Sequence, residues 1–200
     1  MRSKITKWFI NELKLSFISL GVPKNYSIAF AKSINELMNN KSLYYHNTTH
    51  IFSIIEFARK YKIKLDKKER HIILMHDAFF VVNSKLNEDN SAKLNQMFLE
   101  NFCDAETVSF INQGIMQTKQ HLNSETSNYD LILDLDLHSL SFDYYVFQKI
   151  NKSICKENEG NSTNSKEFLK CLINKPYIYK TKLFLPFEEI ARNNINKYLS

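Results

Sequence analysis

The chain is poor in the residues that make turns and cross-links. It has three glycines, three prolines and three cysteines in 200 residues. So few turn formers weigh against a β-sandwich or barrel and favour long helices. Cys103, Cys155 and Cys171 are odd in number and form no Cys-x-x-Cys pair. They speak against a zinc ribbon and a disulfide framework and fit a reducing compartment, so a cytoplasmic location is expected. No apolar run reaches membrane-spanning length, and Trp8-Phe9-Ile10 is interrupted by Asn11, Glu12 and Lys14. Neither a membrane span nor a signal-peptide core is therefore expected.

The formal charge of +6 permits an anionic partner, but the lysines are spread along the chain rather than clustered. A scattered excess is as a rule a solubility feature. With no recognisable helix-turn-helix or aromatic platform, a nucleic-acid binder is disfavoured. With 44% hydrophobic and 24% charged residues and no internal repeat or linker, the chain fits one globular domain able to bury a full core.

Hydrophobic periodicity predicts helices over 4–20, ended by Gly21-Val22-Pro23, and over 25–39. Asn47 is a candidate N-cap for a helix to about 62, and Asp66 with Glu69 forms a capping box for the next. Further helices are expected from Asn87, from Asp104 through Thr118, from Phe142 to about Glu157, over 167–174 and over 186–199. Residues 156–165 read as a mobile loop and 176–186 as extended. Exposed aromatics in the last quarter offer a surface for a second copy of the chain. Residues 131–137 alternate like a strand. No other clear strand exists to pair with them, so helix is expected. Asp134 and Asp136 then lie about 200° apart, and only one can reach a common site.

The chemistry gathers around Met75-His76-Asp77, where an imidazole and a carboxylate adjoin late in an apolar helix. A buried carboxylate is costly unless it is paired or metal-bound. His50, in the first turn after Asn47, shares a face with Ile54, although a histidine on an apolar face is also the mark of a hydrogen-bonded core residue. His71, one turn before His76, reads as a partly exposed surface residue. Glu88 lies in an acidic first turn that suits the helix dipole or faces the cleft. His121, near a helix end, can serve free carbonyls there. His50, His76, Asp77 and Asp136 together make a nitrogen and oxygen shell that suits Mn, Fe, Zn, Co or Ni better than calcium. Such a metal activates water against a phosphate ester. Lys119 is a candidate phosphate contact, and Asp77 is placed to bridge two ions or steer water.

Taken in order, Tyr45-His46-Asn47-x-x-His50-Ile51, Met75-His76-Asp77-Ala78, Asn87-Glu88-x-x-Ser91-Ala92, Thr118-Lys119-x-His121, Leu133-Asp134-x-Asp136-Leu137 and Ala191-Arg192-x-Asn194 resemble the HD superfamily. The likeness is to its predicted metal-dependent phosphohydrolases of about 200 residues, and it runs nearly the whole chain. The resemblance implies an all-α HD-domain bundle with the metal site at its centre. It implies His50, His76, Asp77 and Asp136 as metal ligands, with one or two ions. It implies further roles for His46 and His121 toward a second metal or a phosphate. Glu88 is the nearest counterpart of an acidic residue that is catalytic in related alarmone hydrolases. The implied substrate is a small phosphorylated metabolite or nucleotide. Leu43 stands where the subfamily has arginine and Phe80 where it has tyrosine, and its Arg and Glu motif is not evident around 150–154. Those departures frame the alternative of a catalytically silent domain that binds a nucleotide or a protein partner.

Overall fold

The computed structural model describes residues 2–120 and 126–200. Among them are ten α-helices and no strand: α1 (Arg2–Ser19), α2 (Lys24–Met38), α3 (Thr48–Lys60), α4 (Lys67–Met75), α5 (Asn87–Leu99), α6 (Ala105–Gln117), α7 (Asp130–Asp136), α8 (Tyr144–Glu157), α9 (Thr163–Ile173) and α10 (Leu185–Leu199). The all-helical expectation holds, including the ambiguous stretch, where α7 runs on into a 3-10 segment, Leu137–Ser141. No described helix is long and apolar enough to cross a membrane.

Local chemistry sets the helix ends. After α1 the amide of Gly21 donates to Ile18 O at 3.0 Å and that of Val22 to Phe17 O at 3.1 Å, a Schellman pair. Gly21 takes φ +98°, which a side chain would resist. Asp66 Oδ1 accepts from the amides of Lys68 (2.7 Å) and Glu69 (2.8 Å), and Glu69 returns the bond to the Asp66 amide. Asp104 accepts from the Thr107 amide at 2.7 Å and starts α6.

Helix α4 is the axis of the fold. It packs against α1, α3, α5, α6 and α7, and every residue from His71 to Met75 is at most 1% exposed. The approach to α6 is close enough that a Cβ added at Gly114 would run into the Ile72 side chain. A helix surrounded in this way keeps no solvent face beyond its first turn. That corrects the expectation for His71, which is fully buried. It is hydrogen-bonded to Ser16 (2.8 Å) and Asn95 (2.9 Å), with its ring edge-on to Phe17.

Two further stretches differ from expectation. Helix α8 ends at Glu157 as expected, but α9 begins at Thr163 rather than 167, so the connection between them spans only 158–162. Residues 176–184 are irregular rather than extended, and bury Ile178, Tyr179 and Phe184. Asp134 fixes this segment, accepting from the amides of Lys180 and Thr181, each at 2.7 Å. Glu188 accepts from the Ile178 amide at 2.9 Å.

Candidate metal centre

Three helix ends deliver the site. Asn47 caps α3, its Oδ1 accepting from the Thr49 amide at 2.8 Å, and His50 follows in that first turn. Helix α4 ends at Met75. His76 is its C-cap and still donates its amide to Ile72 O at 2.9 Å. Asp77 lies beyond the helix, in a turn. Successive helical residues point about 100° apart; leaving the helix after His76 is what lets both side chains reach one point. Asp136 is the last residue of α7.

Their donor atoms converge. Asp136 Oδ1 is 2.9 Å from His50 Nε2 and 3.4 Å from His76 Nε2. Asp77 Oδ2 is 3.2 Å from His76 Nε2 and 3.8 Å from His50 Nε2. His76 Nδ1 lies 2.9 Å from Ile73 O. That carbonyl can only accept, so Nδ1 carries a proton, and Nε2 is the nitrogen that faces the carboxylates. The ligand atoms of His50, His76 and Asp136 all lie within 4.8 Å of one another.

The electrostatics call for positive charge at this point. Burial opposes protonation of His76, but Asp77 and Asp136 overcome it and hold its pKa well above the usual range. Burial likewise opposes ionisation of Asp77, yet His76 and His46 bring its pKa down to about 2. His76 Nε2 and Asp77 Oδ2 are nonetheless buried without a hydrogen bond of acceptable geometry. A cation between them would satisfy both. Metal–ligand bonds of about 2.1 Å place neighbouring donors roughly 3.0–3.4 Å apart in octahedral or tetrahedral shells. Three of the four distances fall at or beside that range, and the fourth, Asp77 Oδ2 to His50 Nε2, is longer at 3.8 Å. The group of His50, His76 and Asp136 could hold a metal ion.

Two of the other expected residues line a cavity of about 240 Å³ beside the cluster. Glu88 lines it, and burial, then Asp77, raises its pKa. His46 also lines it, stacked on Phe80 with ring centroids 3.9 Å apart. Lys119 is exposed and bonded to Asp89 at 2.7 Å, and it is not among the residues that line the cavity. His121 lies outside the described residues.

Two participants had no place in the sequence reading. Glu157, with a side chain 1% exposed, is bonded through a carboxylate oxygen to His46 Nδ1 and accepts from the amide of Tyr45 at 2.8 Å. Its position on the stripe of Phe147, Ile150 and Ile154 along α8 was the available signal. His138 is buried against Phe57 and Phe142 and bonded to the Ser53 hydroxyl at 2.8 Å. Burial and then His50 push its pKa down to about 3, so it stays neutral. Asp134, by contrast, faces away from the cluster toward Thr181.

Compared with models of known families, with curated proteins and with solved structures, the chain matches none.

Proposed function

We propose that this chain is a metal-dependent phosphohydrolase of the HD type, acting on a small phosphorylated metabolite or nucleotide. The observation that carries the reading is the meeting of His50, His76, Asp77 and Asp136 around two buried atoms without hydrogen bonds, His76 Nε2 and Asp77 Oδ2. A divalent transition metal held there would supply a Lewis acid that activates water near neutral pH and polarises a phosphate.

The chain's own groups do the rest. His50, His76, Asp77 and Asp136 would hold the cation, and the bond from Nδ1 to Ile73 O leaves His76 Nε2 to face it. Glu88, at the cavity wall with its pKa raised, is suited to exchange a proton with attacking water or leaving group. Glu157 orients His46 through Nδ1, which leaves the opposite ring nitrogen for a phosphate oxygen.

The test is metal analysis of protein prepared without chelator, with phosphate release from generic and nucleotide esters. Bound transition metal and turnover, both lost in Asp77→Ala, are expected. Absence of metal, or an Asp77→Ala variant as active as the parent, refutes the reading. Nucleotide-induced thermal stabilisation without turnover across several metals would replace it with a binding role.

A further inference from the structure

We infer that the site takes esters of a single phosphate whose organic part is uncharged and largely apolar, and that it excludes polyphosphates. The inference rests on the hydrolase reading and adds its substrate class.

The cavity beside the cluster has a volume of about 240 Å³. That is below the roughly 300–1,000 Å³ of pockets that hold drug-sized ligands. One part of its lining is the polar cluster with Glu88 and His46. Helices α8 and α9 contribute another part, Ile150, Ile154 and Leu169, with the uncharged polar groups of Asn158 and Ser165 beside them. None of the described lining residues is lysine or arginine. Three cations on neighbouring elements are engaged elsewhere. Lys119 is bonded to Asp89 at 2.7 Å, while Lys149 lies over Tyr145 at 4.2 Å and Lys156 over Tyr44 at 4.1 Å.

Charge counting then sets the substrate. The carboxylates of Asp77 and Asp136 balance one divalent cation, and Glu88 adds negative charge to the same wall. One phosphate can be met by the metal and His46. A second would bring further negative charge into a low-dielectric space whose described lining holds no lysine or arginine to receive it. The apolar wall rewards the opposite kind of group. A ring or aliphatic body laid on Ile150, Ile154 and Leu169 leaves water, and Asn158 and Ser165 offer neutral hydrogen bonds to its edge.

The experiment is calorimetric titration of the Mn(II)-loaded protein with four inert probes: inorganic phosphate, phenylphosphonate, a nucleoside 5′-phosphonate and a methylene-bridged nucleoside triphosphate. Both phosphonates are expected to bind about tenfold or more tightly than phosphate, and the triphosphate no more tightly than phosphate. Ile154→Ala should bring phenylphosphonate down toward phosphate while leaving phosphate affinity unchanged. Ile154→Arg, which adds a cation to the wall, should reverse the order in favour of the triphosphate. If phosphate binds but phenylphosphonate binds no better, or the triphosphate binds tenfold better than the phosphonates, the substrate inference falls and the hydrolase reading stands. If the protein takes up Mn(II) but none of the four probes, or takes up no metal at all, both fall.

Discussion

His71 should make the fold lose stability in mild acid, and the size of the loss follows from its surroundings. Asn95 donates its amide to Asn112 at 2.7 Å, so its Oδ1 is the atom that faces His71 and accepts from Nε2–H. His71 Nδ1 is then the acceptor for the Ser16 hydroxyl. Protonation would put a second hydrogen on Nδ1, against that hydroxyl, in a site where both ring partners, Ser16 and Asn95, are neutral. Burial, offset in part by the Asn95 bond, lowers the pKa to about 4 from an ordinary value of 6.5. The unfolded chain therefore binds more protons than the folded one between those values. Stability is fully present above about pH 6.5 and falls as pH drops toward 4, by about 3 kcal/mol in all at 1.36 kcal/mol per pH unit. The assay is urea denaturation from pH 7.5 to 4.5 with chelator present, on the parent and on His71→Phe. At pH 7.5 the variant should be the less stable by about 1–3 kcal/mol, through the groups it leaves unpaired. That gap should narrow by about 2–3 kcal/mol as the pH falls to 4.5. A gap that stays constant across the range would refute the assignment of His71 as a neutral, buried histidine.

Two further outcomes are expected. Gly114→Ala, in a helix where alanine is ordinarily the better residue, should nonetheless destabilise by about 1–3 kcal/mol and lower the melting temperature, because the new methyl collides with Ile72 against Tyr129. Glu157→Gln should move the His46 imidazole titration, followed by NMR with chelator present, to lower pH. Burial works against the charge on His46, while Asp77 and Glu157 support it, and the substitution removes one supporter. An unmoved titration would mean that Glu157 shapes the Tyr45–His46 backbone alone.

The helices were legible where side chains write their ends locally. Asn47, Asp66 and Asp104 each accept the amide bonds that their positions implied. Helix α7 was legible by elimination, since a lone strand cannot complete its hydrogen bonds. What the chain order conceals is which distant segment a buried polar side chain meets. Glu157 lies in a polar, glycine-containing stretch, and only the return of α8 onto the Tyr45–His46 segment, 111 or 112 residues away, makes its carboxylate a buried one. Position His71 suffered the same way. Amphipathic patterning reports a solvent face, and α4 has none after its first turn.

The histidines in the middle and at the C-cap of α4 show why residue type and spacing alone do not assign a role. His71 and His76 are five residues apart and both buried. What separates them is the partner of each second nitrogen. In His71 both ring nitrogens meet neutral groups, Ser16 and Asn95, so the ring is complete as a neutral hydrogen-bonding piece of the core. In His76 one nitrogen is spent on Ile73 O and the other is turned on two carboxylates without a hydrogen bond of its own. The first arrangement resists any added charge, and the second requires one. The surroundings of the second nitrogen therefore do more to separate a candidate ligand from a core residue than the adjacent aspartate does. The same criterion sets Asp136, which meets both imidazoles, apart from Asp134, whose oxygens are taken by backbone amides and a hydroxyl.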